Sequence, residues 1–156
     1  MLSNKHVAVA LLVAPLLSLL AWFAVDSQLS ERPRSAEAGR VYPLLEKSNC
    51  RYASGVCELE NADVRVELKV RSQTRNPVLQ LRSSVPLQGA LMALVPAAGG
   101  DDPPPEAMTR TNAGGTRWET SLSAMPAAGA RIRLVASTSD NHFTAEVSTE
   151  FSRQNR

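Results

Sequence analysis

The chain has 156 residues, of which 44% are hydrophobic, 4% aromatic and 21% charged, which leaves room for one medium-sized domain. Seventeen basic against fifteen acidic side chains give a formal charge of +2, too small and too evenly mixed for a nucleic-acid surface. Two histidines and two cysteines exclude a His-rich metal centre or a four-cysteine zinc site.

Residues 1–5 form a short, purely positive N-terminus ending in Lys5. The next twenty residues, His6 to Val25, contain no Asp, Glu, Lys or Arg. As a helix they would extend about 30 Å, the thickness of a bilayer's hydrocarbon core, so the sequence predicts a transmembrane helix over 6–25 that contacts the lipid bilayer. Pro15 removes one donor near its middle and Trp22 sits near the far end, where an amphipathic ring favours the headgroup layer. The positive flank places residues 1–5 in the cytoplasm and exports the remainder, the arrangement of a single-pass protein of a bacterial inner membrane with a periplasmic C-terminal domain. A cleaved signal peptide is the competing reading, with Val25-Asp26-Ser27 as its best cleavage site.

Residues 26–48 mix Ser, Glu and Arg with Pro33, Gly39 and Pro43, and carry no sustained apolar period. They read as a juxtamembrane linker, with the exported domain over 49–156. Cys50 and Cys57 follow, separated by six residues that include the turn pair Ser54-Gly55. In an oxidising compartment that pair reads as a structural disulfide.

Downstream the pattern turns to period two, the mark of half-buried strands. Val64, Val66, Leu68 and Val70 alternate with Arg65, Glu67 and Lys69, and Leu79 and Leu81 alternate within 78–82. A run at 89–95 lies between Pro86 and Pro96, and a strand at 117–122 carries Trp118, expected in the core. Ile132 and Leu134 mark a strand over 130–136, and a last alternation runs from Phe143 through Phe151. A loop at 97–106 contains Pro103-Pro104-Pro105. Six or seven short strands with no intervening amphipathic helix predict a mainly β fold, an immunoglobulin-like antiparallel β-sandwich preceded by one transmembrane helix.

The catalytic inventory is sparse. His142 is the one histidine of the exported part, no Gly-x-Ser-x-Gly elbow exists, and the carboxylates Asp101 and Asp102 sit beside prolines on a loop. Gly99-Gly100 and Gly114-Gly115 lack the lysine and helix of a phosphate loop. The expectation is therefore no catalytic residue and no cofactor. For a soft metal such as copper(I), the available ligands are His142, Met92, Met108 and Met125, without the short spacings of a metal cluster. Residues 26–156 carry 16 basic and 15 acidic side chains, with signs interleaved, so no nucleic-acid partner is expected.

One stretch resembles the FixH and YtkA type of membrane-anchored extracytoplasmic β-sandwich accessory proteins. It comprises Gly114 to Leu122 with Trp118, then Gly129 to Leu134, then Asp140 to Phe143. The resemblance implies an accessory role, in FixH-like proteins one linked to copper-oxidase assembly; the Cys50/Cys57 pair departs from that pattern. Together these readings predict a non-enzymatic membrane protein that contacts another membrane or periplasmic protein, with a copper-handling accessory factor as the alternative.

Overall fold

In the computed structural model, residues 5–29, 39–61, 63–72, 76–97 and 103–153 are described, and the chain divides into two units, Met1–Pro33 and Arg34–Arg156. In the first unit the uncharged run forms one helix, α1 (Lys5–Leu29), with Pro15 inside it. Its 25 residues correspond to about 37 Å at 1.5 Å per residue. The Ser18 hydroxyl donates to the Ala14 carbonyl four residues back, the local bond by which a helical serine satisfies itself. Side chains are described at Val9 and residues 11–23, and all of them are exposed. Among the described residues no helix is long and apolar enough to cross a membrane. The helix continues four residues beyond the expected end at Val25.

The second unit is built from strands. They are β1 (Val41–Pro43), β2 (Leu45–Glu46), β3 (Cys57–Asn61), β4 (Val64–Arg71), β5 (Val78–Ser83), β6 (Gly89–Val95), β7 (Glu106–Ala107), β8 (Thr109–Arg110), β9 (Arg117–Ser121), β10 (Arg131–Ser137) and β11 (His142–Ser148). They make a five-stranded sheet, β1-β11-β10-β6-β7, and a six-stranded sheet, β2-β3-β4-β5-β9-β8. Every pairing is antiparallel except β1 with β11. The period-two alternation does what it predicts. Val64, Val66 and Leu68 of β4 are buried while Arg65 and Lys69 are exposed, and Ile132, Leu134 and Ala136 of β10 are buried.

The inward residues of both sheets make one core. Leu59, Val66, Leu68, Leu79 and Leu81 come from the six-stranded sheet; Met92, Ile132, Leu134, Phe143 and Val147 come from the five-stranded sheet. The arrangement is that of a β-sandwich, with one face of each sheet turned to the core and the other to solvent. The chain changes sheet between β1 and β2 at Leu44 and between β7 and β8 at Met108, and both switching residues are buried. The edge strands are two or three residues long, and Pro43 ends one while Pro105 precedes another, which blunts the unpaired edges.

Two expectations need correction. The linker expected over 26–48 ends earlier than that, because Val41–Pro43 pairs with β11 and Leu45–Glu46 pairs with β3, so the sandwich begins well before residue 49. The last alternation stops at Ser148, and Phe151 is buried from a 3₁₀ turn, Glu150–Ser152. The Thr149 hydroxyl donates to the Ala130 carbonyl at 2.8 Å, turning the backbone out of the strand there. The Asp101-Asp102 and Gly99-Gly100 pairs, and residues 30–38 of the expected linker, lie outside the described residues.

Candidate interaction face

Cys50 and Cys57 are joined, as their spacing predicts. A 3₁₀ turn, Ser48–Arg51, carries Cys50 inward, and Cys57 opens β3; both are fully buried. Between them Gly55 takes φ +79°, a conformation that suits glycine, and its N–H donates to the Phe151 carbonyl at 2.8 Å. The Asn49 carboxamide oxygen accepts from the Glu58 N–H at 3.1 Å, tying the turn to β3. The disulfide is thus a staple of the core.

The four soft-metal candidates are not brought together. Met92 and Met108 are sealed in the core at 3% and 4% exposure, Met125 is exposed in the loop after β9, and His142 points outward from the first position of β11. What the spacing did not reveal is that His142 faces Ser137 across the β10–β11 hairpin, with Ser137 Oγ and His142 Nδ1 2.8 Å apart. Nucleophilic catalysis asks for a base that is itself oriented by a third group. This pair is exposed, and the Asp140 carboxylate two residues away accepts from the Ser139 hydroxyl at 2.7 Å. The contact pins the mouth of the hairpin.

The outer face of the five-stranded sheet carries a feature no local pattern announces. Read across the register, Pro43 lies beside Thr144, Thr144 beside Val135, Val135 beside Leu91, and Leu91 beside Ala107. One transverse row spans all five strands, and every member except Thr144 is apolar. Leu91 is 40% exposed, and Val41 in the adjacent row is 62% exposed. That adjacent row runs Val41, His142, Ser137, Gly89. On the other side Arg131 and Arg133 both reach Glu146, at 2.8 and 3.5 Å, so the charges bordering the row are mutually satisfied. An apolar centre with a polar border is the layout of a protein-binding patch.

At the end of the sandwich beside the Gly89–Val41 row, the loops at 84–88 and 138–141 and the β3–β4 turn enclose a hollow of about 400 Å³. Val85, Pro86 and Phe143 supply its apolar wall, and Asn141 Oδ1 is buried without a hydrogen-bond partner among the described residues. Such an acceptor is costly to leave unmet. An electrostatic cluster lies at the β2–β3 edge. Lys47 Nζ is 2.6 Å from Glu60 and 3.5 Å from Glu58. The hydrogen bond to Glu60 raises the Lys47 pKa, and hydrogen bonds from Lys47 and then Arg65 lower that of Glu60.

Comparison with protein-family models, curated proteins and solved structures finds no match to this chain.

Proposed function

We propose that the chain is a non-enzymatic, single-span protein of a bacterial inner membrane, whose exported immunoglobulin-like sandwich acts through protein–protein contacts as an accessory factor of a membrane complex. The transverse apolar row on the five-stranded sheet carries this reading. It is continuous over five strands and has a polar border whose ion pairs are already satisfied. A face built this way binds a partner by covering apolar area and leaves chemistry aside.

The anchoring part of the proposal rests on the sequence run from His6 to Val25, which holds no Asp, Glu, Lys or Arg. Ten large apolar side chains, from Val9 to Phe23, are 45–72% exposed along it. Each would gain roughly 1.5–3 kcal/mol on leaving water, a cost that lipid removes. The immunoglobulin-like reading is supported by strand order. The order β4-β5-β9-β8 corresponds to strands A-B-E-D of that fold, and β11-β10-β6 to G-F-C, with β1 added in parallel beside β11. In that correspondence the hollow at 84–88 and 138–141 lies between the B–C and F–G loops, the end such domains use for recognition.

The test is affinity purification of the full-length protein from its native membranes in mild detergent, followed by mass spectrometry. One membrane complex is expected with the native chain and with a chain carrying an unrelated span in place of residues 6–25. It is expected to be lost with Leu91→Lys/Val135→Lys. Recovery of nothing above background with the native chain would sink the accessory reading, and unaltered recovery with the double variant would remove this face from it.

A further inference from the structure

The opposite face of the sandwich, on the six-stranded sheet, has a different chemistry. Its outward positions on β4, β5 and β9 stack in register rows. Glu67 stands opposite Arg82, and Arg82 opposite Arg117; the next row is Lys69, Gln80, Glu119; the third is Arg71, Val78, Ser121. The rows line a groove of about 530 Å³, with Thr111 at its margin. Four cations, Lys69, Arg71, Arg82 and Arg117, face two carboxylates, Glu67 and Glu119. Glu119 is engaged by Gln80, whose Nε2 donates to it at 2.5 Å.

The arginine pair is the unusual element. Arg51, Arg65, Arg131, Arg133 and Arg153 each lie within 3.5 Å of a carboxylate. The guanidinium groups of Arg82 and Arg117, like those of Arg71 and Arg110, have no ion pair or hydrogen bond among the described residues, and of these four only Arg82 and Arg117 stand directly opposite one another. Like charges directly opposite on neighbouring strands destabilise a sheet. An anion placed between them turns that repulsion into two attractions. The shape of the anion follows from the donors. A guanidinium is a rigid fork that engages two oxygens at once. A tetrahedral phosphate offers several such two-oxygen edges, so one group can engage both forks at once.

We propose that this groove binds a phosphate group, held between the forks of Arg82 and Arg117 with Lys69 as the neighbouring cation. The group can belong to a soluble phosphate or to a phospholipid headgroup, and both present the same oxygens to the two forks. The site is independent of the apolar face and of any partner that covers it.

The experiment is isothermal titration of the full-length chain in a neutral detergent, at low salt, with inorganic phosphate and, separately, with water-soluble short-chain phosphatidic acid; short-chain phosphatidylcholine is the control lipid. Saturable binding of phosphate or phosphatidic acid is expected, weakened at least tenfold by Arg82→Gln/Arg117→Gln. The variant Arg131→Gln/Arg133→Gln removes the same charge from the other sheet and is expected to leave binding within twofold of the wild type. Tenfold tighter binding of phosphatidic acid than of inorganic phosphate assigns the site to lipid, and comparable affinities assign it to soluble phosphate. Thermal unfolding of the Arg82/Arg117 variant shows that it folds, with a Tm close to the wild type, since the Arg82–Arg117 repulsion and the Arg82–Glu67 attraction are removed together. Absence of saturation with both ligands overturns the proposal, as does equal weakening in the two double variants, which would reduce binding to overall charge.

Discussion

Gly115 occupies a place that only a residue without a Cβ can fill. Its φ is +66°, and an added Cβ would sit 2.9 Å from the Leu87 carbonyl oxygen, a backbone atom that cannot swing aside. The Leu87 N–H donates to the Gly115 carbonyl at 2.9 Å, and the same carbonyl accepts from the buried Trp118 indole N–H at 2.8 Å. Gly115→Ala is expected to cost about 1–3 kcal/mol, the range for a non-glycine residue forced into a sparse backbone region against its neighbours. Gly55→Ala, at φ +79° with nothing within 4 Å, should cost about 1 kcal/mol. Urea unfolding of the two variants checks the difference, and equal costs would show that the Leu87 contact yields. The disulfide is the other residue-scale determinant. Replacing Cys50 and Cys57 together by alanine is expected to lower unfolding free energy by about 2–3 kcal/mol through the chain entropy of the short loop they close. The spacing of the two cysteines made that bond legible in the sequence. The role of Gly115 was not legible, since it depends on Leu87, 28 residues earlier in the chain.

At the scale of elements, the seam between β2 and β3 is held by charge as well as by backbone bonds. The Glu60 carboxyl is held below its ordinary 4.5 by hydrogen bonds from Lys47 and Arg65, so its contribution is complete above that value and fades as pH falls through the lowered pKa. Lys47 is raised above 10.5 by Glu60, so its contribution is complete below that value and fades as pH climbs through the raised pKa. Both groups are exposed, and salt should weaken the pair. Glu60→Gln is therefore expected to lower Tm slightly at pH 7 and low salt, less at high salt, with no difference from the wild type well below pH 4.5. A Tm difference that persists in acid would show that the side chain's packing, not its charge, matters. The long strands were legible from alternation alone: β4, β5, β6, β9 and β10 lie within a residue or so of where Val64–Val70, Leu79, the 89–95 run, Trp118 and Ile132 put them. The two-residue strands carry no period and exist because a partner strand lies beside them. β1 also pairs in parallel with the last strand, about a hundred residues later, a contact that no local signal encodes.

At the scale of the whole sandwich, the two outer faces differ in kind although both are exposed. One carries the row from Pro43 to Ala107, the other the cation rows around Arg82 and Arg117. Neither was legible as a site, for a shared reason. Residues 43, 91, 107, 135 and 144 are scattered through the chain, and each alone is an ordinary outward position of a strand. They become a surface only once the register aligns them, and register belongs to the assembled sheet. This placement gives a prediction that separates folding from function. Leu134 is fully buried and its neighbour Val135 looks outward. Leu134→Ala is expected to lose about 2–5 kcal/mol, because the core cannot close over the missing methyl groups. Leu91→Lys is expected to stay within about 0.5 kcal/mol of the wild type, since an exposed strand position accepts a long side chain whose ammonium reaches water. If the apolar row is an interface, Leu91→Lys loses the co-purifying membrane partner at unchanged Tm. Leu134→Ala loses it only to the extent that the domain unfolds at the temperature of the experiment. Partner loss that tracks Tm across both variants would instead mean that contact depends on the fold at large and not on this face.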